Sequence, residues 1–373
     1  MCTAFFVIGE AEPRGGHDAS TSAPAAAPPP SLSLLLLFNR DEFLDRETAP
    51  ASFWGDHPHV LAGRDLRRGG TWVGVTKTGR WALLTNFREL NFSGAGPGAP
   101  SRGVLPTDFL TGHQSPLEYL EGLVTSRSGM AAHNGFNLVV GVAGGGGGGG
   151  AAAAAAYLTN RGPPGAPGHG RPVALGSGVY GLSNGPLGRG GASHATGWVK
   201  VDAGVAALRS FMGPDGALAG PPPPSPAALP WGTLFGAGLM GCAVRAPPGA
   251  LPRTGVPPEY EAALSSTFIP PTRNLFGQGK GLVYGTRSQT GVALFSDGRG
   301  VLVERSAAVA EEEDCGNPPP PSTPTPVPIA WTEVVHEFVV EAGGADGGDV
   351  VVVDEAGGCA GGPEEGEAGL VGT

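Results

Sequence analysis

The chain has 373 residues, and glycine (66) and proline (38) make up about 28% of it, a share that excludes one compact fold for the whole sequence. The net charge of −10 is uneven, because 14 of the 33 acidic residues and none of the 23 basic residues lie from Ser306 to Thr373. Residues 1–305 therefore carry a net charge of +4, which is too little to indicate nucleic-acid binding.

Short segments of strand length predict most of the ordered structure. Ala4–Ile8 and Leu32–Phe38 are uninterrupted apolar runs, as expected for strands that are covered on both faces. Residues 71–76 and 80–85 flank Lys77-Thr78-Gly79 and predict a hairpin. Further strands are predicted at 137–142, 179–182, 292–296, 301–304 and 329–340. A turn at Asp297-Gly298 is predicted to join the strands at 292–296 and 301–304.

Apolar residues at spacings of three and four predict a helix over 198–212 and, with interruptions, helical structure over 105–123. These segments lie between the sets of hairpins along the chain. Antiparallel hairpins with helices between them indicate an α+β domain in which helices cover the sheets.

Composition divides the chain into one domain over residues 1–340 and a disordered, acidic, glycine-rich tail over 341–373. Low-complexity inserts are predicted within the domain at about 10–31, 143–156, 213–230 and 306–328. The glycine run at 144–150 lacks the Lys-Ser/Thr that follows in a phosphate-binding loop, so we interpret it as an elongated turn.

Cysteine spacing and the lengths of the apolar runs indicate the expected cellular compartment. The four cysteines, at positions 2, 242, 315 and 359, show no CxxC spacing, so neither a disulfide framework nor a metal site is predicted. The longest apolar stretch is too short for a bilayer span, and no basic segment precedes an apolar run at the N-terminus. We therefore expect cytoplasmic residence without a transmembrane segment.

Cys2 is the first candidate for chemistry. If Met1 is removed, Cys2 carries a thiol and a free α-amine, and an amine of pKa ~7.7 to 8.0 is suited to take the thiol proton. The alternative is an ordinary small residue that opens a buried strand.

Asn39-Arg40-Asp41-Glu42 follows an apolar strand directly. Arg40 is suited to steady a thiolate or an anionic ligand, and Asp41 or Glu42 to orient the α-amine. The alternative is a solvated strand end with internal salt bridges.

Other polar residues follow predicted strands. Asn86 and Asn184 have the chemistry of oxyanion donors, and Arg287 is suited to clamp a carboxylate or a phosphate. The alternative is that such residues form turns. His57 and His59 are close enough in sequence to suggest a metal or haem iron, but no acidic residue at matching spacing supports this, and a surface loop is the preferred interpretation.

Taken together, these motifs resemble the NRDE family, also called the transport and Golgi organisation protein two family. The matching segments, in the family's order, are Met1-Cys2, 39–43, 51–55, 61–65, 69–74, 84–86, 101–103, 134–137, 160–162, 180–184, 284–287 and 304–306. The resemblance implies a fold like that of N-terminal-nucleophile hydrolases, with four layers in the order αββα and two mainly antiparallel sheets.

The resemblance also implies function. By similarity to cholylglycine and penicillin V acylases, the catalytic residues would be Cys2, Arg40, Asp41, Asn86, Asn184 and Arg287. For the family, it implies mobilisation of haem, handling of acyl-coenzyme A, support of Golgi organisation and secretion, and association with the Golgi or the mitochondrion or a membrane surface.

Three functions follow as hypotheses. The first is a protein that binds an amphipathic anion, haem or acyl-coenzyme A, with Trp54 and Trp81 against its apolar part and a ligand-binding set of Asn39, Arg40, Asp41, Glu42, Trp72 and Arg287. The second is an amidase or acylase that uses Cys2 to cleave a C–N amide bond. The third is a scaffold whose proline-rich and acidic segments bind partners.

Overall fold

The computed structural model describes residues 2–9, 30–88, 98–126, 129–143, 155–162, 165–187, 197–213, 216, 218, 223–277, 281–310 and 324–341. Most of the predicted inserts, and the predicted tail apart from Glu341, lie outside these residues.

The described residues form strands and short helices. The strands are β1 (Cys2–Ile8), β2 (Leu32–Phe43), β3 (Thr48–Phe53), β4 (Val60–Asp65), β5 (Val73–Thr76), β6 (Arg80–Asn86), β7 (Phe136–Val142), β8 (Ala155–Thr159), β9 (Val173–Leu175), β10 (Gly178–Leu182), β11 (Thr272–Arg273), β12 (Val283–Phe295), β13 (Arg299–Val309), β14 (Thr325–Pro326) and β15 (Ile329–Val339). The helices are α1 (Val104–Thr111), α2 (Pro116–Thr125), α3 (Val199–Met212), α4 (Trp231–Leu234) and α5 (Pro258–Ala263).

The strands build two antiparallel sheets. The first has the order β10-β1-β2-β12, and β12 pairs in turn with β13 and with β11, while β15 adds to β13 and β14 to β11. The second is a meander in chain order from β3 to β9. Its β5–β6 turn contains Gly79 at φ +76°, and the β12–β13 turn contains Gly298 at φ +87°, a backbone conformation that glycine adopts without strain.

The apolar runs alternate between two cores. Even-numbered residues of β1 and β2, such as Phe6 and Leu36, belong to one buried cluster with Trp81 of the second sheet, in the space between the sheets. Odd-numbered residues, such as Phe5 and Leu37, contact α3 and α4 on the other face. Since successive side chains of a strand point to opposite faces, a run buried on both sides is apolar throughout.

Helices α1 and α2 cover the free face of the second sheet, where Phe109 and Leu120 pack on Val60 and Leu138. The layers are therefore helix, sheet, sheet and helix, which confirms the α+β sandwich expected from the sequence. Full burial of a Phe or Leu side chain contributes about 1.5–3 kcal/mol, so each of these cores stabilises the fold through many such side chains.

The structure corrects three boundaries. Residues 39–43 belong to β2 rather than following the strand, because β12 pairs along the whole segment and β1 pairs with Asn39 and Arg40. The helix predicted over 105–123 is two helices, separated at Gly112 and restarted by a capping box between Ser115 and Glu118. Strand β8 begins with Ala155 and Ala156, inside the alanine run, because both pair with β7.

Candidate functional site

A cavity of about 250 Å³ lies between the two sheets, at the end of β2 that carries residues 40–42. We call it the Cys2 cavity. The first sheet contributes Cys2, Arg40, Asp41 and Glu42; the second sheet and its loops contribute Asp65, Arg68, Gly70, Thr71, Trp72, Leu84, Asn86 and Asn134; and Arg46 and segment 99–103 complete the wall.

Strand register brings Cys2 and Arg40 together. The antiparallel pairing of β1 with β2 sets Cys2 directly opposite Arg40, and Arg40 opposite Ser288 of β12. Directly opposed side chains lie on the same face of a sheet, with Cβ atoms about 4.5–5.5 Å apart. Cys2 and Arg40 therefore both face the space between the sheets.

Arg40 is held in place on three sides. Its guanidinium lies 4.0 Å from the centre of the Trp72 ring, its Nη1 donates to Thr48 Oγ1 at 2.9 Å, and its Nη2 lies 3.2 Å from Asp65 Oδ2. Burial lowers the pKa of Arg40, and the charges of Glu42 and Asp65 oppose that shift. An arginine keeps its charge in proteins, so the cavity has a fixed cation beside the thiol.

Asp65 organises two arginines. Its Oδ2 accepts from Arg46 Nε at 2.6 Å as well as from Arg40. Its Oδ1 accepts from the backbone N–H groups of Arg67 and Arg68, each at 3.0 Å. One carboxylate therefore fixes the loop after β4 and the orientation of two cavity cations.

The surroundings of the Cys2 thiol disfavour its thiolate form. Burial raises the pKa of Cys2, while the charge of Arg40 and a hydrogen bond from the backbone N–H of Asp41 act in the opposite direction. Ser183 Oγ donates to the Cys2 carbonyl oxygen at 3.0 Å and fixes the start of β1. Nucleophilic use of this thiol therefore requires a base.

The carboxylate of Asp41 belongs to the opposite face of the sheet. Its Oδ1 accepts from Thr286 Oγ1 at 2.7 Å, and burial raises the pKa of Asp41, opposed by the charge of Lys200. Burial also lowers the pKa of Lys200 to about 8, and its Nζ donates to the carbonyl oxygens of Leu264 and Ser266 at 3.1 and 3.2 Å. Asp41 thus lines the Cys2 cavity while its carboxylate lies in a buried polar cluster.

Asn86 and Asn184 have different positions. Asn86 lines the Cys2 cavity, and its side-chain amide has no hydrogen-bond partner among the described residues. Asn184 does not line that cavity; its Nδ2 donates to the Asn86 carbonyl oxygen at 2.8 Å. Asn184 therefore supports the end of β6 that carries Asn86.

Two further predicted residues do not line the Cys2 cavity. Asn39 Nδ2 donates to the carbonyl oxygens of Met240 and Thr267 at 2.8 and 2.9 Å, on the helix-covered face. Arg287 lies at a β-bulge of β12, and its Nη1 donates to the Leu44 carbonyl oxygen. Burial lowers the pKa of Arg287, and the positive charge of Arg40 acts in the same direction.

The aromatic residues predicted to meet an apolar ligand also separate. Trp72 lines the cavity, whereas Trp81 is in the core between the sheets. Trp54 is in the core beneath α1 and α2, with Arg64 at 4.5 Å from its ring. Only one of the three tryptophans can therefore contact an occupant of the Cys2 cavity.

Sequence reasoning assigned no site role to Asp65, Arg68, Arg102 and Asn134, although each except Arg68 lies in a motif noted above. No local pattern predicts their convergence, because it depends on how the loops of the second sheet fold over the first. His57 and His59 have rings 6.1 Å apart, and the described residues contain no group of three or more His, Cys, Asp or Glu placed to hold a metal ion.

Comparison with known proteins gives the family. The family model described as Transport and Golgi organisation 2 matches residues 21–308. The mouse Transport and Golgi organization 2 homolog is 35% identical over 154 residues, and the human homolog is 36% identical over 156, in each case 40% of this chain and 50% of the relative. The Drosophila melanogaster protein is 28% identical over 149 residues, 38% of this chain and 47% of that protein. The alignments thus span about half the length of these relatives.

Among solved structures, penicillin V acylase from Agrobacterium tumefaciens aligns over 91% of this chain and 92% of its own, with a TM-score of 0.37 and 12% identity. No helix in the described parts of the chain is long and apolar enough to cross a membrane. The family match covers most of the chain, in agreement with the resemblance of its motifs. The chain belongs to the Transport and Golgi organisation 2 family.

Proposed function

We propose that the Cys2 cavity binds the anionic head of a small amphipathic molecule. Four arginines line it, at positions 40, 46, 68 and 102, against three acidic residues, at 41, 42 and 65. Asp65 is already paired with Arg40 and Arg46, and the carboxylate of Asp41 bonds to Thr286. The balance of charge within the cavity therefore favours an anion.

The observation that carries this proposal is the position of the Arg40 guanidinium. Arg40 lines the cavity beside Cys2, and the Trp72 ring, Thr48 and Asp65 hold its guanidinium in place. A cation that is already fixed and buried loses little further freedom when an anion binds to it. A carboxylate or phosphate oxygen beside Arg40 would therefore form a charge-assisted hydrogen bond at low cost in entropy.

The size of the cavity favours a headgroup over a whole ligand. Pockets that enclose drug-sized ligands have volumes of ≈ 300–1,000 Å³, and the Cys2 cavity has about 250 Å³. A carboxylate or a phosphate fits this space, and both candidate ligands carry such groups, haem as propionates and acyl-coenzyme A as phosphates. The apolar part of the ligand would then lie outside the cavity, because the described wall offers it only two large apolar side chains, Trp72 and Leu84.

Two neighbouring arginines test the proposal. Both Arg68 and Arg67 are exposed and have their backbone N–H groups fixed by Asp65, but only Arg68 lines the cavity. Titration calorimetry with haem and with palmitoyl-coenzyme A should show saturable binding of one of them, weakened about tenfold by Arg68→Ala and unchanged by Arg67→Ala. Absence of saturable binding to both ligands, or equal effects of the two substitutions, contradicts the proposal.

The second candidate function, an amidase or acylase, is favoured by the position of Cys2 in the same cavity. The Cys2 thiol, the charge of Arg40 and the unbonded amide of Asn86 face one space. After loss of Met1, the α-amine would take the thiol proton, and the thiolate would attack an amide carbonyl to form a thioester and release the amine with that proton. Water then hydrolyses the thioester and regenerates the thiol.

Intact mass and thiol labelling test this candidate. The mature protein should lack Met1, and iodoacetamide should modify the wild type but not a Cys2→Ser variant at residue 2, with Cys242 as the internal reference for an ordinary partly buried thiol. Retention of Met1 would leave the Cys2 thiol without its base. A labelling rate at Cys2 no greater than at Cys242 would show that the thiol is not activated. Either result excludes the mechanism.

A role in Golgi organisation and protein secretion is supported only by the names of the relatives. Imaging of the tagged chain against Golgi and mitochondrial markers, with the secretion rate measured after its depletion, tests it. The scaffold hypothesis concerns segments that lie mostly outside the described residues and stays a prediction, which deletion of 307–328 and of the tail after Glu341 would test.

A further inference from the structure

Strand β15 forms an edge of the first sheet and is long for an edge strand. It has 11 residues, whereas the other strands at the edges of the two sheets, β3, β9, β10 and β14, have six, three, five and two. Its ladder with β13 runs without a bulge from Ile329 to Val339, and it contains no proline or lysine. Within the described part of the chain, no strand pairs with its other side.

The hydrogen bonds at the two ends of this ladder show which backbone groups of β15 point away from β13. The Val340 N–H donates to the Gly298 carbonyl oxygen at 2.7 Å, and the Ala310 N–H donates to the Pro328 carbonyl oxygen at 3.0 Å. Hydrogen-bonded and non-hydrogen-bonded pairs alternate in an antiparallel ladder, so the even-numbered residues of β15 bond to β13. The odd-numbered residues direct their N–H and C=O groups to the open edge: Ile329, Trp331, Glu333, Val335, Glu337 and Val339.

The facing edge of the second sheet, β3, is protected against further pairing. It contains Pro50 and a bulge. The Ala51 N–H donates to Glu304 Oε1 at 2.8 Å, and His336 Nε2 hydrogen-bonds the Ala51 carbonyl oxygen at 2.9 Å. Short strands, prolines and bulges are means by which proteins prevent edge-to-edge association. Strand β15 has none of these three features, so its edge is open to a further strand.

We propose that this edge pairs with β15 of a second copy of the chain, across a two-fold axis at Val334. In the full-length antiparallel register, Ile329 lies opposite Val339 of the copy, and each odd-numbered residue meets another odd-numbered residue. The outward N–H and C=O groups then pair in about twelve hydrogen bonds, within the ≈ 10 ± 5 of a typical interface. A slip of one residue would oppose these groups to groups already bonded to β13.

The charges of β15 favour the same register. Glu333 lies opposite Val335 of the copy, and Glu337 lies opposite Trp331, so no two acidic residues are opposed. A slip of two residues keeps the hydrogen bonds but places Glu333 opposite Glu333 or Glu337 of the copy. Like charges directly opposite each other destabilise a strand pair. The strand is therefore complementary to itself when all of its 11 residues pair.

Sedimentation equilibrium of the full chain measures this association, and substitutions at Val335 test its register. Val335→Glu opposes like charges twice in each dimer and should raise the dissociation constant about tenfold. Val335→Lys opposes unlike charges at the same two places and should not weaken the dimer. Val244→Glu is the matched control, at a valine that is 77% exposed on a loop, and should have no effect.

A cysteine at the axis gives a second measurement. Val334 faces Val334 of the copy in a non-hydrogen-bonded pair, in which the Cα atoms are ≈ 4.5 Å apart, close enough for a disulfide. Val334→Cys should therefore join two chains through residue 334 under mild oxidation, as shown by peptide mapping. Ala330→Cys, exposed on the same face of the strand, lies opposite Phe338 of the copy and should form no bond with its own copy.

Several results would overturn the proposal. A chain that stays monomeric at every soluble concentration, with no cross-link through residue 334, refutes it. A dimer that Val335→Glu leaves intact uses another surface, and equal weakening by Val335→Glu and Val335→Lys contradicts the register. Unchanged thermal melting of each variant excludes loss of β15 as the cause. The association needs no ligand in the Cys2 cavity, so its outcome is independent of the function proposed above.

Discussion

The buried ion pair between Arg88 and Glu261 joins the segment after β6 to α5, and its loss should be costly. The side chains are 3% and 2% exposed, and Glu261 also accepts from Thr254 Oγ1. Glu261→Gln keeps the shape but removes the negative charge that faces the buried guanidinium of Arg88. Breaking such a pair costs about 3–5 kcal/mol, whereas replacing both partners by apolar side chains is often neutral.

Urea denaturation followed by circular dichroism measures these differences. Glu261→Gln should lose about 3–5 kcal/mol, and the double variant Arg88→Met/Glu261→Leu should be more stable than Glu261→Gln. The exposed pair of Arg305 and Glu333, with side chains 30% and 42% exposed, is the control, and Glu333→Gln should lose no more than about 1 kcal/mol. A loss below about 1 kcal/mol in Glu261→Gln would show that water screens the buried pair and refute the reasoning.

Three further predictions concern the site and the layers around it. Trp72→Phe shortens the ring that packs on the Arg40 guanidinium and should weaken ligand binding in the Cys2 cavity up to about fivefold, as measured by the titrations above. Because burial lowers the pKa of Lys200 to about 8, the folded chain releases that proton at lower pH than the unfolded chain does. The stability of the wild type relative to Lys200→Met should therefore rise between pH 8 and 10, by up to about 1.4 kcal/mol per pH unit in urea denaturation, and a flat difference contradicts it. Gly204→Ala should destabilise α3 against β1 by about 1–3 kcal/mol, because the added Cβ would lie 1.9 Å from Phe5 Cζ, whereas Gly122→Ala, with nothing within 4 Å, should stabilise α2, both read from thermal melting.

Much of the fold is predictable from local patterns. The apolar runs at 4–8 and 32–38 predict strands covered on both faces, and both lie between two layers. The stripe over 198–212 predicts α3, and Gly79 and Gly298 predict the hairpin turns where they occur. Each of these signals depends on the spacing of residues within one element. It is therefore present in the local sequence and does not depend on the rest of the fold.

The site is less predictable, because it depends on register and on loops. The interpretation of residues 39–42 as a cluster at a strand end overlooked that β2 continues through them, so that their side chains alternate between faces. Arg40 faces the second sheet, and Asn39 faces the helices. Arg102 and Asn134 reach the cavity from separate loops, and no pattern within either segment relates it to Cys2.

This alternation has a consequence for any chemistry at Cys2. The carboxylate of Asp41 bonds to Thr286 on the helix-covered face, so it is not placed to take the thiol proton from within the Cys2 cavity. What Asp41 offers to the thiol is its backbone N–H, which favours the thiolate once that has formed. The fixed charge of Arg40 acts in the same sense. On the proposals made above, both groups would stabilise an anion, whether it is bound from solution or generated on Cys2, and the base for a covalent reaction would be the main-chain amine of Cys2 after loss of Met1.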